Sequence, residues 1–222
     1  MKKGLTEVVF ILDRSGSMRG LENDTIGGYN SMLEKQQKED GDAKISTILF
    51  DGAIEILHDR ADLKKMEPIT DKDYYVRGNT ALLDALGSTI HRIGKLQKSA
   101  REDEKPEKTL FIITTDGMEN ASREYTFEKV KKMVEKKKSK NGWEFIFLGA
   151  NIDAIEVAGR FGVEASRAVN YKCDSAGTKL NFDVLSKVVG CARACKCSED
   201  MGAMFNDSDM FAEIRQDCEE RA

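Results

Sequence analysis

The sequence predicts an α/β fold: a doubly wound, mostly parallel sheet with one antiparallel edge strand and helices on both faces. Three observations predict it. The apolar runs Val8–Leu12, Leu110–Thr114 and Phe145–Leu148 lack the alternation of a half-exposed strand and read as strands covered on both sides. Between them lie segments whose apolar residues recur at helical spacing, so strands and helices alternate along the chain. Asp51-Gly52 separates two short β-rich runs and reads as a tight hairpin turn, which places an antiparallel strand at one sheet edge.

Residues 7–13 form the first predicted strand. A helix follows, with Ile26, Tyr29 and Leu33 on one face and Asn23 or Asp24 near its cap. Residues 44–50 predict the second strand, and 53–58 its hairpin partner. Residues 62–79, punctuated by Pro68 and Gly78, read as mostly irregular. From Thr80 to about Lys98, Leu82, Leu86 and Ile90 share a helical face. The charged stretch 99–108, with Pro106, reads as a surface loop before the strand at 110–114. Phe127, Val130 and Val134 mark an amphipathic helix, 145–148 a strand, and 154–158 a short helix, with Asp153 as its cap. Residues 168–171 predict a last strand and 182–194 a final helix. We place the domain at residues 1–197 and expect residues 198–222 to be an acidic, flexible C-terminal tail.

The 222 residues suit one domain with a proper core. The net charge is −4, but residues 198–222 carry eight carboxylates against Arg215 and Arg221, a local −6, so the remainder is slightly basic at +2. That balance gives no argument for nucleic acid. The seven lysines between Lys129 and Lys140 lie on a helix with its own apolar stripe and read as its solvated face. Behind Met1-Lys2-Lys3 the apolar run is shorter than a secretory signal needs, and no run approaches a membrane span. The five cysteines all fall in the last quarter and suit reduced thiols. A cytoplasmic protein is therefore expected. Cys191, Cys195 and Cys197, with Cys173 or Cys218, form a second possible metal set, but their spacing departs from zinc patterns, and idle thiols are the simpler reading.

Chemistry concentrates at the ends of the predicted strands. Asp13, Ser15 and Ser17 leave the first strand at i, i+2 and i+4, offering one carboxylate and two hydroxyls. Gly78-Asn79-Thr80 supplies another hydroxyl, and Thr114-Thr115-Asp116-Gly117 a second carboxylate. These are small, hard oxygen donors of the kind that suit Mg²⁺ or Mn²⁺. In open α/β sheets a ligand lies beyond the carboxyl ends of the strands, so distant segments converge there.

In these three motifs, taken in order, the chain resembles a von Willebrand factor A domain with a metal-ion-dependent adhesion site. Asp13, Ser15 and Ser17 match its D-x-S-x-S motif, Thr80 its threonine loop and Asp116 its last aspartate. The resemblance covers about residues 5–195 and implies a Rossmann-like sheet. It also implies a cation held at Asp13, Ser15, Ser17, Thr80 and Asp116, the serines directly and the aspartates partly through water. A partner protein's Asp or Glu then completes the metal sphere. Gly149-Ala150-Asn151-Ile152-Asp153 is similar to bacterial and phage-type members, and Asn151 is a candidate partner contact. Cytoplasmic relatives of this kind work with partner ATPases, in metal-chelatase subunits or in stress and tellurium-resistance modules.

The competing reading is a phosphate-chemistry enzyme with Asp13 as nucleophile. It needs a second aspartate two residues on to protonate the leaving group, and Ser15 stands there. A serine hydrolase needs Gly-x-Ser-x-Gly and a histidine, and neither serine lies in that pattern. A glycine-rich dinucleotide loop is missing after the first strand. We therefore expect no enzyme.

Overall fold

In a computed structural model that describes residues 1–221, the chain forms six strands and seven α-helices. The strands are β1 (Lys2–Asp13), β2 (Ala43–Phe50), β3 (Ile54–Asp62), β4 (Pro106–Thr115), β5 (Glu144–Gly149) and β6 (Ala168–Asn170). The helices are α1 (Glu22–Lys38), α2 (Leu82–Ser99), α3 (Phe127–Asn141), α4 (Ala154–Arg160), α5 (Ser175–Ala194), α6 (Ser198–Asp207) and α7 (Ala212–Glu220).

One sheet runs in the order β3-β2-β1-β4-β5-β6, with β3 antiparallel at the edge and every other pair parallel. This is the predicted α/β architecture. β1 is covered on both faces, and its alternation assigns the two cores. Val8, Phe10 and Leu12 enter the core under α1 and α5, while Val9 and Ile11 enter the one under α2 and α3. After β1 the chain runs outward through β2 and β3, then crosses to β4 on the other side. The switch point therefore lies between β1 and β4, where Asp13 and Asp116 emerge.

Among the boundaries that differ from the sequence reading, three are informative. β4 begins at Pro106 instead of after a loop ending at 108, because proline needs no ladder donor at a strand's first position. α5 starts at Ser175, where the Asp174 side chain accepts the Gly177 amide at 2.8 Å and caps it. The third difference is the C-terminal segment. Residues 198–220 fold as α6 and α7, and their Met201, Phe205, Phe211 and Ile214 are buried in the core beneath α5. The acidic side chains line the outer faces of helices that are part of the domain, which corrects the expectation of a flexible tail. Met201–Phe205 and Phe211–Ile214, at i+4 and i+3, were the apolar signal that the charge count obscured. Among the described residues, no helix is long and apolar enough to cross a membrane.

Candidate metal centre

Asp13 ends β1 with its side chain almost wholly buried. One carboxylate oxygen accepts the Ser15 amide at 2.7 Å, and the other accepts the Thr115 hydroxyl at 2.6 Å. Burial pushes this carboxyl up to about 6, against the pull of those two hydrogen bonds, and the nearby Asp116 pushes in the same direction. Without a cation, a buried anion here is poorly compensated.

Ser15, Ser17 and Asp116 join in a continuous chain. Ser15 Oγ lies 3.1 Å from Ser17 Oγ, and Ser17 Oγ donates to Asp116 Oδ1 at 2.5 Å. Thr80 is buried, its amide donating to Asn120 Oδ1 while its carbonyl accepts the Asn120 amide, both at 3.0 Å. Gly117 shows how closely the two hydroxyl loops approach. A Cβ built there would lie 3.3 Å from Ser17 Oγ and 3.5 Å from Thr80 Oγ1. The structure thus brings the loops of all five sequence-selected residues, Asp13, Ser15, Ser17, Thr80 and Asp116, into one crevice.

The donor set suits a hard divalent cation. Two carboxylates match its charge, three neutral hydroxyls add ligands without adding charge, and no histidine or thiolate competes. Gly117 keeps free the space that a side chain would fill. Gly117→Ala is expected to weaken Mn²⁺ binding roughly tenfold while leaving the urea midpoint nearly unchanged, because outer-sphere changes act mainly on metal affinity. Calorimetric titration beside a denaturation curve checks both parts.

The loops carrying these donors are fastened to one another. Asp84, in the first turn of α2, accepts the Arg123, Glu124 and Tyr125 amides at 2.8 to 2.9 Å. Glu119 accepts the Leu83 amide at 2.9 Å. The stretch after Asp116 is therefore laced to the start of α2, just beyond Thr80. On the other flank, Arg14 is fully buried and donates from Nε to Asp51 Oδ2 at 3.0 Å, with Nη2 2.7 Å from Glu55. Arg77 donates to the same Asp51 oxygen at 2.7 Å, and the Tyr75 ring lies close to both guanidinium groups, 5.4 Å from each. Burial raises the Asp51 carboxyl, but the Arg77 hydrogen bond, the Ala53 amide and Arg14 together hold it below the ordinary range.

Sequence reasoning missed several residues that support the site. Thr115 orients Asp13; its signal was the paired threonines at the end of β4. Tyr74 donates its hydroxyl to the Asp13 carbonyl at 2.5 Å, from a segment read as irregular. Cys173 donates to Asp116 Oδ2 at 3.5 Å, and burial, then Asp116 beside it, pushes its thiol up to about 12, so it stays protonated. Asn151, already marked by the sequence as a candidate partner contact, lies in the left-handed region at φ 56° and donates to the Asp116 carbonyl at 3.3 Å. Asp153 caps α4 as expected, accepting the Glu156 amide at 2.9 Å. The cysteines do not gather: among the described residues, no three His, Cys, Asp or Glu side chains form a metal cluster, and all five thiols are free.

No family model and no curated protein matches the chain. Solved structures do. A variant of the PilB minor pilin from Streptococcus sanguinis aligns at TM-score 0.60 and 12% identity over 91% of this chain and 63% of its own. The von Willebrand factor domain of a type V pili tip protein from Porphyromonas gingivalis aligns at 0.60 and 10% over 88% of this chain and 98% of its own. Proximal thread matrix protein 1 from the mussel byssus, with a zinc-occupied adhesion-site motif, aligns at 0.56 and 15% over 85% and 46%. The chain spans less than two thirds of the pilin's length and about half of the mussel protein's. With its strand order and its crevice at the switch point, the chain has the fold of a von Willebrand factor A domain.

Proposed function

We propose that the chain is a divalent-cation-dependent protein-binding module. The observation that carries this reading is the crevice itself: three hydroxyls and two carboxylates on three loops that converge beyond β1 and β4. Asp13, Ser15, Ser17, Thr80 and Asp116 would hold Mg²⁺ or Mn²⁺. A bound cation supplies a Lewis-acidic centre with room for an anionic oxygen. The chain's own residues set its selectivity: Asp13 and Asp116 supply charge, the hydroxyls orient, and the Asp84 and Asp51 braces hold the loops.

The partner we propose is a protein presenting an Asp or Glu from a loop. A carboxylate that completes a metal sphere is a hot spot of order 2 kcal/mol or more. The adhesion-site motif of the mussel protein, occupied by zinc, supports the metal part of this reading. A binding role without chemistry of its own is favoured over the phosphate enzyme, because Ser15 stands where that mechanism needs an acid. We propose a cytoplasmic setting, on the reading of the five cysteines as reduced thiols, with a partner ATPase as one form the partner could take.

The test is capture of a partner with and without metal. EDTA is expected to reduce affinity at least about tenfold, the equivalent of ~1.4 kcal/mol. Thr80→Ala is expected to weaken capture more than it weakens the fold, since Thr80 stands on its own loop. Capture of equal strength in EDTA, with Thr80→Ala without effect, would mean that the crevice does not bind the partner through a cation.

A further inference from the structure

A cavity of about 740 Å³ lies at the opposite end of the sheet from the candidate metal centre. It is walled by the last turns of α2 and α3, the starts of β4 and β5, and the first turns of α6. Its size is that of a small-molecule site. Five lysines line it: Lys98, Lys105, Lys137, Lys138 and Lys140. Lys105 and Lys138 are paired, with Glu102 at 2.5 Å and Glu164 at 2.7 Å. Among the described residues, Lys98, Lys137 and Lys140 make no ion pair, whereas Lys131 and Lys132 on the outer face of α3 pair with Glu135 and Glu128.

The carboxylates in the wall are already engaged. Glu107 accepts the Gly4 amide at 2.7 Å, Glu144 accepts Arg167 at 2.6 Å, and Glu199 accepts the Ser198 hydroxyl at 3.2 Å. Lys137 is the informative residue. It is half-buried, its Nζ lies 4.3 Å from the Trp143 ring centroid, and it occupies the space above Gly94. A Cβ on Gly94 would come within 2.5 Å of that Nζ. Burial, with Lys136 alongside, lowers the Lys137 pKa, so this ammonium is desolvated with only an aromatic face for compensation. The carboxyl ends of α2 and α3 attract cations in general, but exposed lysines satisfy that attraction. It does not account for one drawn inward over Trp143.

We propose that this cavity binds a small, multiply charged phosphate-bearing anion through Lys98, Lys137 and Lys140. Lysine acts on phosphate as a point charge with three donors. Three unpaired ammonium groups around one concave space suit several negative charges better than one. The phosphate belongs either to a soluble ligand or to a lipid headgroup, and the experiment separates the two.

The full chain is titrated calorimetrically with inorganic pyrophosphate at low salt. EDTA is present, so that no cation at the other end of the sheet captures the anion. In parallel it is sedimented with phosphatidylcholine vesicles containing phosphatidic acid. Saturable 1:1 binding of pyrophosphate is expected, weakened roughly tenfold by Lys137→Gln. Gly94→Ala, a change that favours helix, is expected to act likewise by displacing Lys137. Lys131→Gln serves as a control on the outer face and should bind as the parent does. Vesicle binding alone, lost in the same two variants, supports the proposal with the phosphate in a headgroup. No saturable binding to either probe, or binding undiminished in both variants, overturns it and leaves the lysines as helix-end charges.

Discussion

Asp13→Asn is expected to abolish cation binding and, in the metal-free protein, to raise stability at neutral pH. The folded carboxyl, at about 6, lies above its ordinary value of 3.8. The folded state therefore holds its proton more tightly than the unfolded chain. The stabilisation from protonation is fully present below pH 4 and is lost as pH rises through 6. Two pKa units amount to about 3 kcal/mol. Asparagine keeps the shape and escapes that penalty, so the metal-free variant should melt higher than the parent at pH 7 and near it at pH 4. Mg²⁺ should then raise the parent's melting temperature at pH 7, by the mass action of a ligand that binds only the folded state, and leave the variant's unchanged. Equal Mg²⁺ shifts in both would remove Asp13 from the site.

Asp51→Ala is expected to be the most damaging single change near the crevice. Asp51 is buried, and its carboxylate receives Arg14, Arg77 and the Ala53 amide, while its carbonyl accepts the Ala81 amide at 2.9 Å. Removing the carboxylate leaves the fully buried Arg14 with Glu55 alone. Breaking a buried ion pair on one side costs about 3–5 kcal/mol, mostly as the penalty of the orphaned charge. Urea denaturation reads the loss directly. Replacing both partners, as Arg14→Met with Asp51→Leu, should recover much of it, because neither charge then stays buried unpaired. A loss below about 1 kcal/mol in Asp51→Ala would show that Glu55 suffices. Thr80 follows Arg77 by three residues, so the same variant should also weaken cation binding.

The sheet was legible because β1, β4 and β5 are buried on both faces and so read as unbroken apolar runs, with helical spacing between them. The five candidate donors were legible because each motif is local: Asp13, Ser15 and Ser17 occupy one turn, and Thr80 and Asp116 each stand within two residues of a glycine. Their supports were not. Thr115, Tyr74 and Cys173 act across the sheet end, from positions whose sequence neighbourhoods carry no common pattern. Asp51 read as half of a hairpin turn; only the approach of Arg14 and Arg77 makes it a charge hub. Across α6, α7 and the turn between them, eight carboxylates masked short apolar pairs that two turns of helix suffice to bury. Lys137 was grouped with its neighbours as a solvated face. Its inward path depends on Gly94, which is distant in sequence and lacks the side chain that would block it.

If three loops hold one cation beyond β1 and β4, that cation occupies a single position. Anomalous diffraction from a crystal soaked in Mn²⁺ measures this most directly. One strong peak is expected within bonding distance of the Ser15 and Ser17 hydroxyls, in the crevice shared by Asp13, Thr80 and Asp116. A crystal saturated with Mn²⁺ that shows no peak there, or a peak only at Cys191, Cys195 and Cys197 around the end of α5, would contradict it.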